Sequence, residues 1–273
     1  MSTQHPAPGS PSPIALLPNL RDLGGWSTAD GRTVRSSVLY RSTDFRTIGG
    51  DVAVLEPLGL RTVYDLRSQA ERSASPDPSL PGAADVALDV LADDQTAIPG
   101  NLDKVLSDPK VILEMEKQYG GKDFDPVSLI VGTYRDMIAM PSALTAYRRF
   151  YRGLLGADQE PALFHCTTGK DRTGWAAASF LTLMGVGRDE VYHDYLLTND
   201  RLLPSFDHLF EALDAAGGNS AVLKPVLGVR ADYLDAAFTE VDKQFGGMAG
   251  YFEKGLQLDS AAQQQLRDRF LVG

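Results

Sequence analysis

The sequence predicts an α/β fold with a mostly parallel central sheet flanked by helices. Three observations carry this. Short apolar runs of strand length recur along the chain, each separated from the next by turn-formers or a helix candidate. The second half turns to helical periodicity. No internal repeat and no long linker divides the chain, so one domain holds both patterns.

In chain order, residues 1–14 are rich in Pro, Ser and Gly and are read as a disordered tail; residues 15–273 form the domain. The strand candidates are "SVLYRS" (37–42), "LRTVYDLR" (60–67), the alternating "DVALDVL" (85–91) and "PALFH" (161–165). Between the first two, "DVAVLEPLG" (51–59) is a short helix closed by Gly59. From 101 to 155 the pattern is helical, with Leu129, Tyr134, Met137, Ile138 and Met140 near one face and a second helix after Pro141. Residues 174–185 read as a buried helix ending near Gly185, followed by "RDEVYHDYLLTND". Leu202, Leu203, Phe206, Leu209, Phe210 and Leu213 form an apolar stripe that serves either as core or as a cover over a site. "VRADYLDAAFTEVDKQFGG" is the last helix, with Gly246 and Gly247 at its end.

Composition narrows the function. Of 273 residues, 43% are hydrophobic and 23% charged, and the net charge is -10. That balance argues against nucleic acid as the main ligand but leaves a small anionic substrate open. The single cysteine, Cys166, excludes an internal disulfide and a multi-cysteine zinc site, and the four histidines lack paired metal-ligand spacing. No apolar run is long enough to span a membrane, and the N-terminal residues lack the basic region of a Sec signal. The default compartment is the cytoplasm; export by another route would leave no mark.

The chemistry gathers at "PALFHCTTGKDRTGWAAASF" (161–180). The strand delivers Cys166 to the carboxyl edge of the sheet, where open α/β folds bind ligands. A five-residue loop follows, then a helix starting near Arg172 and Thr173. Backbone N–H groups of such a loop form a cradle sized for phosphate, and the same field stabilises a thiolate. Arg172 can bind two phosphate oxygens through its planar fork. The resulting chemistry is attack of the Cys166 sulfur on phosphorus, then hydrolysis by water. Thr167, Thr168, Gly169 and Lys170 would line the anion, and Thr173 would hydrogen-bond the departing sulfur. No metal or cofactor is needed. The loop is not a nucleotide P-loop, because Phe164 stands where the upstream glycine belongs and Asp171 replaces Ser/Thr. No G-x-S-x-G elbow occurs.

"HCTTGKDRTG" resembles the C-x5-R signature of cysteine-dependent phosphatases, and its "GKDRTG" form is similar to an atypical bacterial family of tyrosine/lipid phosphatases, the mycobacterial tyrosine phosphatase B family. "NLRDLGG" (19–25), "LYRSTDF" (39–45), "VYDLRS" (63–68), "DYLLTND" (194–200) and "VLGVRADYL" (226–234) resemble family segments in order. The resemblance implies a cysteine-phosphatase fold with additional helices covering the active site. It implies a protein tyrosine phosphatase of broad specificity, with phosphoproteins and phosphoinositides as substrates. A main activity on phosphoinositides, or a phosphopeptide-binding module without turnover, are the alternatives. Arsenate reduction needs partner cysteines that the chain lacks, and rhodanese loops do not carry this motif.

The resemblance also suggests Asp171, inside the loop, as general acid; the alternative is that it pairs with a basic neighbour and braces the loop. The chain has no Trp-Pro-Asp, so Asp77, Asp93 and Asp94 stay open as acids outside the loop. His165 should point away from the sulfur by strand alternation and brace the loop. Arg21, Asp22 and Arg67 are read as ion pairs bracing it. His193-Asp194 is placed on a helix surface.

Overall fold

The structure is a computed structural model that describes residues 7–12, 14–93, 125–215 and 217–273. The expected helical pattern over 101–124 lies outside the described residues.

Among the described residues, seven strands form two sheets. The main sheet contains β1 (Arg21–Asp22), β3 (Leu39–Ser42), β4 (Thr62–Asp65), β5 (Ala84–Ala87) and β6 (Ala162–His165), in the order β1-β3-β6-β4-β5. β3, β6, β4 and β5 run parallel, and β1 is an antiparallel edge. β2 (Thr33–Val34) pairs with β7 (Leu271–Val272). All four predicted strands are present. β3, β4 and β6 bury every residue, as expected of strands covered on both faces. β1, β2 and β7 escaped the sequence reading because two residues carry no period.

Alternation along β6 sorts the core. Ala162, Phe164 and Cys166 face the large cluster that includes Leu39, Tyr64, Tyr147, Phe150, Trp175 and Tyr233. Leu163 faces the other side, against Leu20, Tyr40, Phe45, Leu55 and Val63.

The helices are α1 (Gln69–Ala74), α2 (Pro126–Ala139), α3 (Pro141–Leu154), α4 (Arg172–Met184), α5 (Arg188–Leu202), α6 (Asp207–Ala215), α7 (Ala231–Phe245) and α8 (Ser260–Phe270), with short turns between several of them. Apart from Thr182, every residue of α4 is buried, which its all-round apolar sequence requires. Gly185 ends it in the left-handed conformation, φ 87°. On α2, Tyr134, Met137 and Ile138 are buried, but Leu129 is exposed. Leu129 lies about 140° round the helix from Tyr134, so it belongs to the opposite face. The segment around Val52–Leu58 is a 3₁₀ helix ending at Gly59, as the sequence indicated in outline. Of the expected tail, residues 7–12 lie against the body: Gly9 is buried and its carbonyl accepts from Arg201.

Candidate active site

Register puts Ser42, His165 and Asp65 level, so the chain leaves β3, β6 and β4 at one edge of the sheet. Cys166 leaves that edge on the central strand, and α4 begins at Arg172. Cys166, Thr167, Thr168, Lys170, Asp171, Arg172 and Thr173 are all buried. The turn between them depends on Gly169. Its φ is 68°, and a Cβ there would stand 2.2 Å from the Ser42 carbonyl oxygen. The carbonyls of Thr168 and Gly169 each accept from the Asn19 side-chain amide at 3.0 Å. In a trans peptide the N–H opposes the carbonyl, so the amides of Gly169 and Lys170 are turned the other way. Successive inward amides are what an anion cradle requires.

Arg172 is fixed by Glu71, with Nη1–Oε2 at 2.6 Å and Nη2–Oε1 at 2.7 Å. Glu71 also accepts from the Thr167 hydroxyl and from the Ser68 amide. Burial opposes ionisation of Glu71, but Arg172 and these donors hold it down at about 2, while Glu71 raises Arg172 against its own burial. The Thr167 hydroxyl is therefore engaged with Glu71. The Thr173 hydroxyl is buried and meets no partner among the described residues. Lys170 Nζ lies 2.7 Å from the Asp171 carboxylate, which also accepts from the Tyr134 hydroxyl at 3.0 Å; Tyr134 in turn meets the Tyr195 hydroxyl at 2.6 Å. Burial, then Asp171, pushes Tyr134 well above its ordinary value.

The sequence profile of the tyrosine phosphatase family matches residues 12–272. The chain belongs to the tyrosine phosphatase family. A Cupriavidus necator protein bearing a tyrosine-protein phosphatase name is 34% identical over 270 residues, covering 94% of this chain and 87% of its own. The triple specificity protein phosphatase PtpB of Mycobacterium tuberculosis is 32% identical over 253 residues, covering 85% and 89%. A tyrosine-protein phosphatase of Nostoc commune is 30% identical over 128 residues, 45% of this chain and 43% of that one.

Within this tyrosine phosphatase family member, the structure sorts the acids weighed from sequence. Asp171 lies in the loop. Asp93 is exposed and caps α3 through the Ser142 amide at 2.7 Å. Asp94 lies outside the described residues. Asp77 accepts from Arg67 and from the Phe45 amide, and lies 3.2 Å from His165 Nε2. His165 is fully buried, and its ring packs on Phe45. Burial lowers its pKa, but Asp77 and Asp65 outweigh burial and raise it to about 9. Asp65, Asp77 and His165 bring ligand atoms within 4.8 Å of one another. Arg67 donates to both carboxylates, so this is an ion-pair network with its cation already in place.

Two expectations need correction. Asp194 is not on a helix surface: it is buried, and it pairs with Arg21 and Arg41, while His193 is exposed. Arg21 does not pair with Asp22, which accepts from the Gly24 and Ser37 amides. Sequence reasoning missed Glu71, Asn19, Arg41 and Asp44. A signal for Glu71 was available: Ser68-Gln69-Ala70-Glu71 is a capping box opening α1.

A cleft of about 270 Å³ lies beside Thr167 and Thr168, lined by Pro18, Thr43, Asp44, Leu202, Phe206 and Leu209 among others. The apolar stripe expected as core or cover is packed as core. Leu202, Phe206, Leu209, Phe210 and Leu213 pack with Leu223 and Leu227 in a separate cluster, and three of them also wall the cleft.

Proposed function

We propose that this chain hydrolyses phosphomonoesters, chiefly phosphotyrosine in proteins, with Cys166 as nucleophile. The observation that supports this most is the loop itself: a cysteine at the carboxyl end of the central strand, Gly169 and Lys170 amides turned away from Asn19, and Arg172 opening a buried helix. The Cys166 thiolate attacks phosphorus in line, and the bond to the leaving oxygen breaks. Loop amides and Arg172 stabilise the charge on the equatorial oxygens, with Glu71 fixing the guanidinium plane. Water then hydrolyses the cysteinyl phosphate. Asp171 gives the proton to the leaving oxygen. Its carboxylate bonds Lys170 and the Tyr134 hydroxyl, so an incoming phosphate that draws Lys170 away leaves Asp171 to take a proton from water and pass it to the leaving oxygen.

A second reading of the acid rests on Asp44. It lines the cleft beside Thr167 and Thr168, and burial raises its carboxyl above the usual range despite Arg46 and Arg67 nearby. The apolar cleft wall suits an aryl ester. The triple specificity of the Mycobacterium tuberculosis relative supports broad substrate use here, with phosphoserine, phosphothreonine and phosphoinositides as further substrates. Cys166→Ser should bind vanadate yet lose turnover of nitrophenyl phosphate. Substantial residual turnover in that variant would overturn the mechanism, and a panel of phosphopeptides and phosphoinositides compared by kcat/KM tests the substrate class.

A further inference from the structure

Three sequence segments that the chemistry above leaves without a role meet beneath the cysteine loop. "NLRD" supplies Asn19 and Arg21, "LYRS" supplies Arg41, and "DYLLTND" supplies Asp194 and Thr198. They come from β1, β3 and α5 and the residues next to them. Asn19 Nδ2 donates to the carbonyls of Thr168 and Gly169. Arg41 Nη2 donates to the same Gly169 carbonyl at 2.8 Å, and its Nη1 bonds Asp194 Oδ2 at 2.6 Å. Arg21 Nε bonds Asp194 Oδ1 at 2.9 Å, and Arg21 Nη1 bonds the Asn19 side-chain oxygen at 2.5 Å, which orients the Asn19 amide. Arg21 Nη2 also reaches the Thr198 hydroxyl at 3.3 Å.

Two features make this more than bracing. The first is direction. Holding two successive carbonyls fixes two successive peptide planes, and with them the inward aim of the Gly169 and Lys170 amides. The second is charge. Arg21, Arg41 and Asp194 have side chains at most 1% exposed, and the two guanidiniums share one carboxylate. Buried charge is costly unless matched. Arg41 Nε is buried and meets no hydrogen-bond partner among the described residues. Burial, then the neighbouring Arg21, pushes Arg41 down to about 10, so it stays protonated at neutral pH; Asp194 and Cys166 oppose that fall. Besides Asp194, the anionic group that acts on Arg41 is Cys166, the group that would carry the thiolate and attack the phosphate. The other charged groups around the loop are already matched, Arg172 with Glu71 and Lys170 with Asp171.

We propose that Asn19, Arg21, Arg41 and Asp194 form a clamp that aims the loop amides and supplies one positive charge to the thiolate and the bound phosphate. Arg41 and Asn19 are its two working arms, as positioning residues, and the proposal rests on the catalytic reading given above. Cys166 is the only cysteine, so iodoacetamide reports on it alone. Arg41→Met should slow alkylation at pH 6 by about tenfold, because a neighbouring opposite charge favours the ionised form. It should also weaken vanadate binding by about 10- to 100-fold. Arg41→Lys restores the charge without the fork, so it should recover alkylation while vanadate binding stays weak. Asn19→Ala should weaken vanadate binding by about tenfold and slow alkylation less than Arg41→Met does, since it keeps the charge and loosens only the amides. Circular dichroism and urea midpoints identify the folded variants; if Arg41→Met does not fold, Arg41→Lys and Asn19→Ala still decide. Wild-type vanadate affinity in folded Asn19→Ala, or full recovery of that affinity in Arg41→Lys, would overturn the clamp. Neither readout needs turnover. A failure of the catalytic reading would instead show as hydrolysis that Cys166→Ser leaves intact.

Discussion

Glu71→Gln is the sharpest test of how Arg172 is held. The substitution keeps size and keeps an oxygen for the Ser68 amide, but removes the charge facing a guanidinium that is 1% exposed. A carboxyl moved from 4.5 to about 2 by folding contributes about 3 kcal/mol when ionised. Breaking a buried ion pair from one side independently costs about 3–5 kcal/mol. The variant should therefore unfold in urea with about 3 kcal/mol less stability at pH 7. The sign with pH follows from the depressed midpoint. Stability from Glu71 is fully present above about 4.5 and is lost as pH falls toward about 2, so the gap between wild type and variant should be roughly halved at pH 3. With the guanidinium plane released, kcat/KM for nitrophenyl phosphate should fall by about 10- to 100-fold. A gap below about 1 kcal/mol at pH 7, or one that stays constant down to pH 3, would refute the reasoning.

Asp171→Asn should cost little on nitrophenyl phosphate and about 100-fold or more on phenyl or alkyl phosphates, since acid catalysis matters most for basic leaving groups; a uniform loss would mean bracing only, and a steep leaving-group dependence confined to Asp44→Asn would move the acid there. His165 is raised from 6.5 to about 9, so its contribution is fully present below 6.5 and is lost as pH rises through about 9. His165→Gln should flatten that alkaline decline, and an imidazole NMR midpoint near 6.5 would contradict the assignment. Gly169→Ala must place a methyl 2.2 Å from the Ser42 carbonyl at a positive φ, so vanadate binding and turnover should both collapse; near-normal vanadate affinity would show that the loop tolerates another path.

The central strands, the buried helix α4 and the Cys166–Arg172 loop were legible in the sequence because each depends on neighbours within a few residues. An apolar run, a glycine turn and an apolar helix announce themselves locally. The two-residue strands were not legible, because β2 and β7 exist only through a pairing across most of the chain. Partners of charge were not legible either. Asp22 stands next to Arg21 in sequence but caps amides, while Asp194, more than 170 residues away, takes the ion pair. Lys170 and Asp171 are bonded to each other, the pairing that the sequence left open as the alternative to Asp171 serving as acid. Glu71 reads locally as a helix cap, and only the meeting of α1 with the start of α4 makes it the anchor of Arg172. Backbone preference and apolar periodicity are written along the chain. Which buried charge finds which counter-charge is decided by packing, because a charge taken out of water must be matched by whatever group the fold brings beside it.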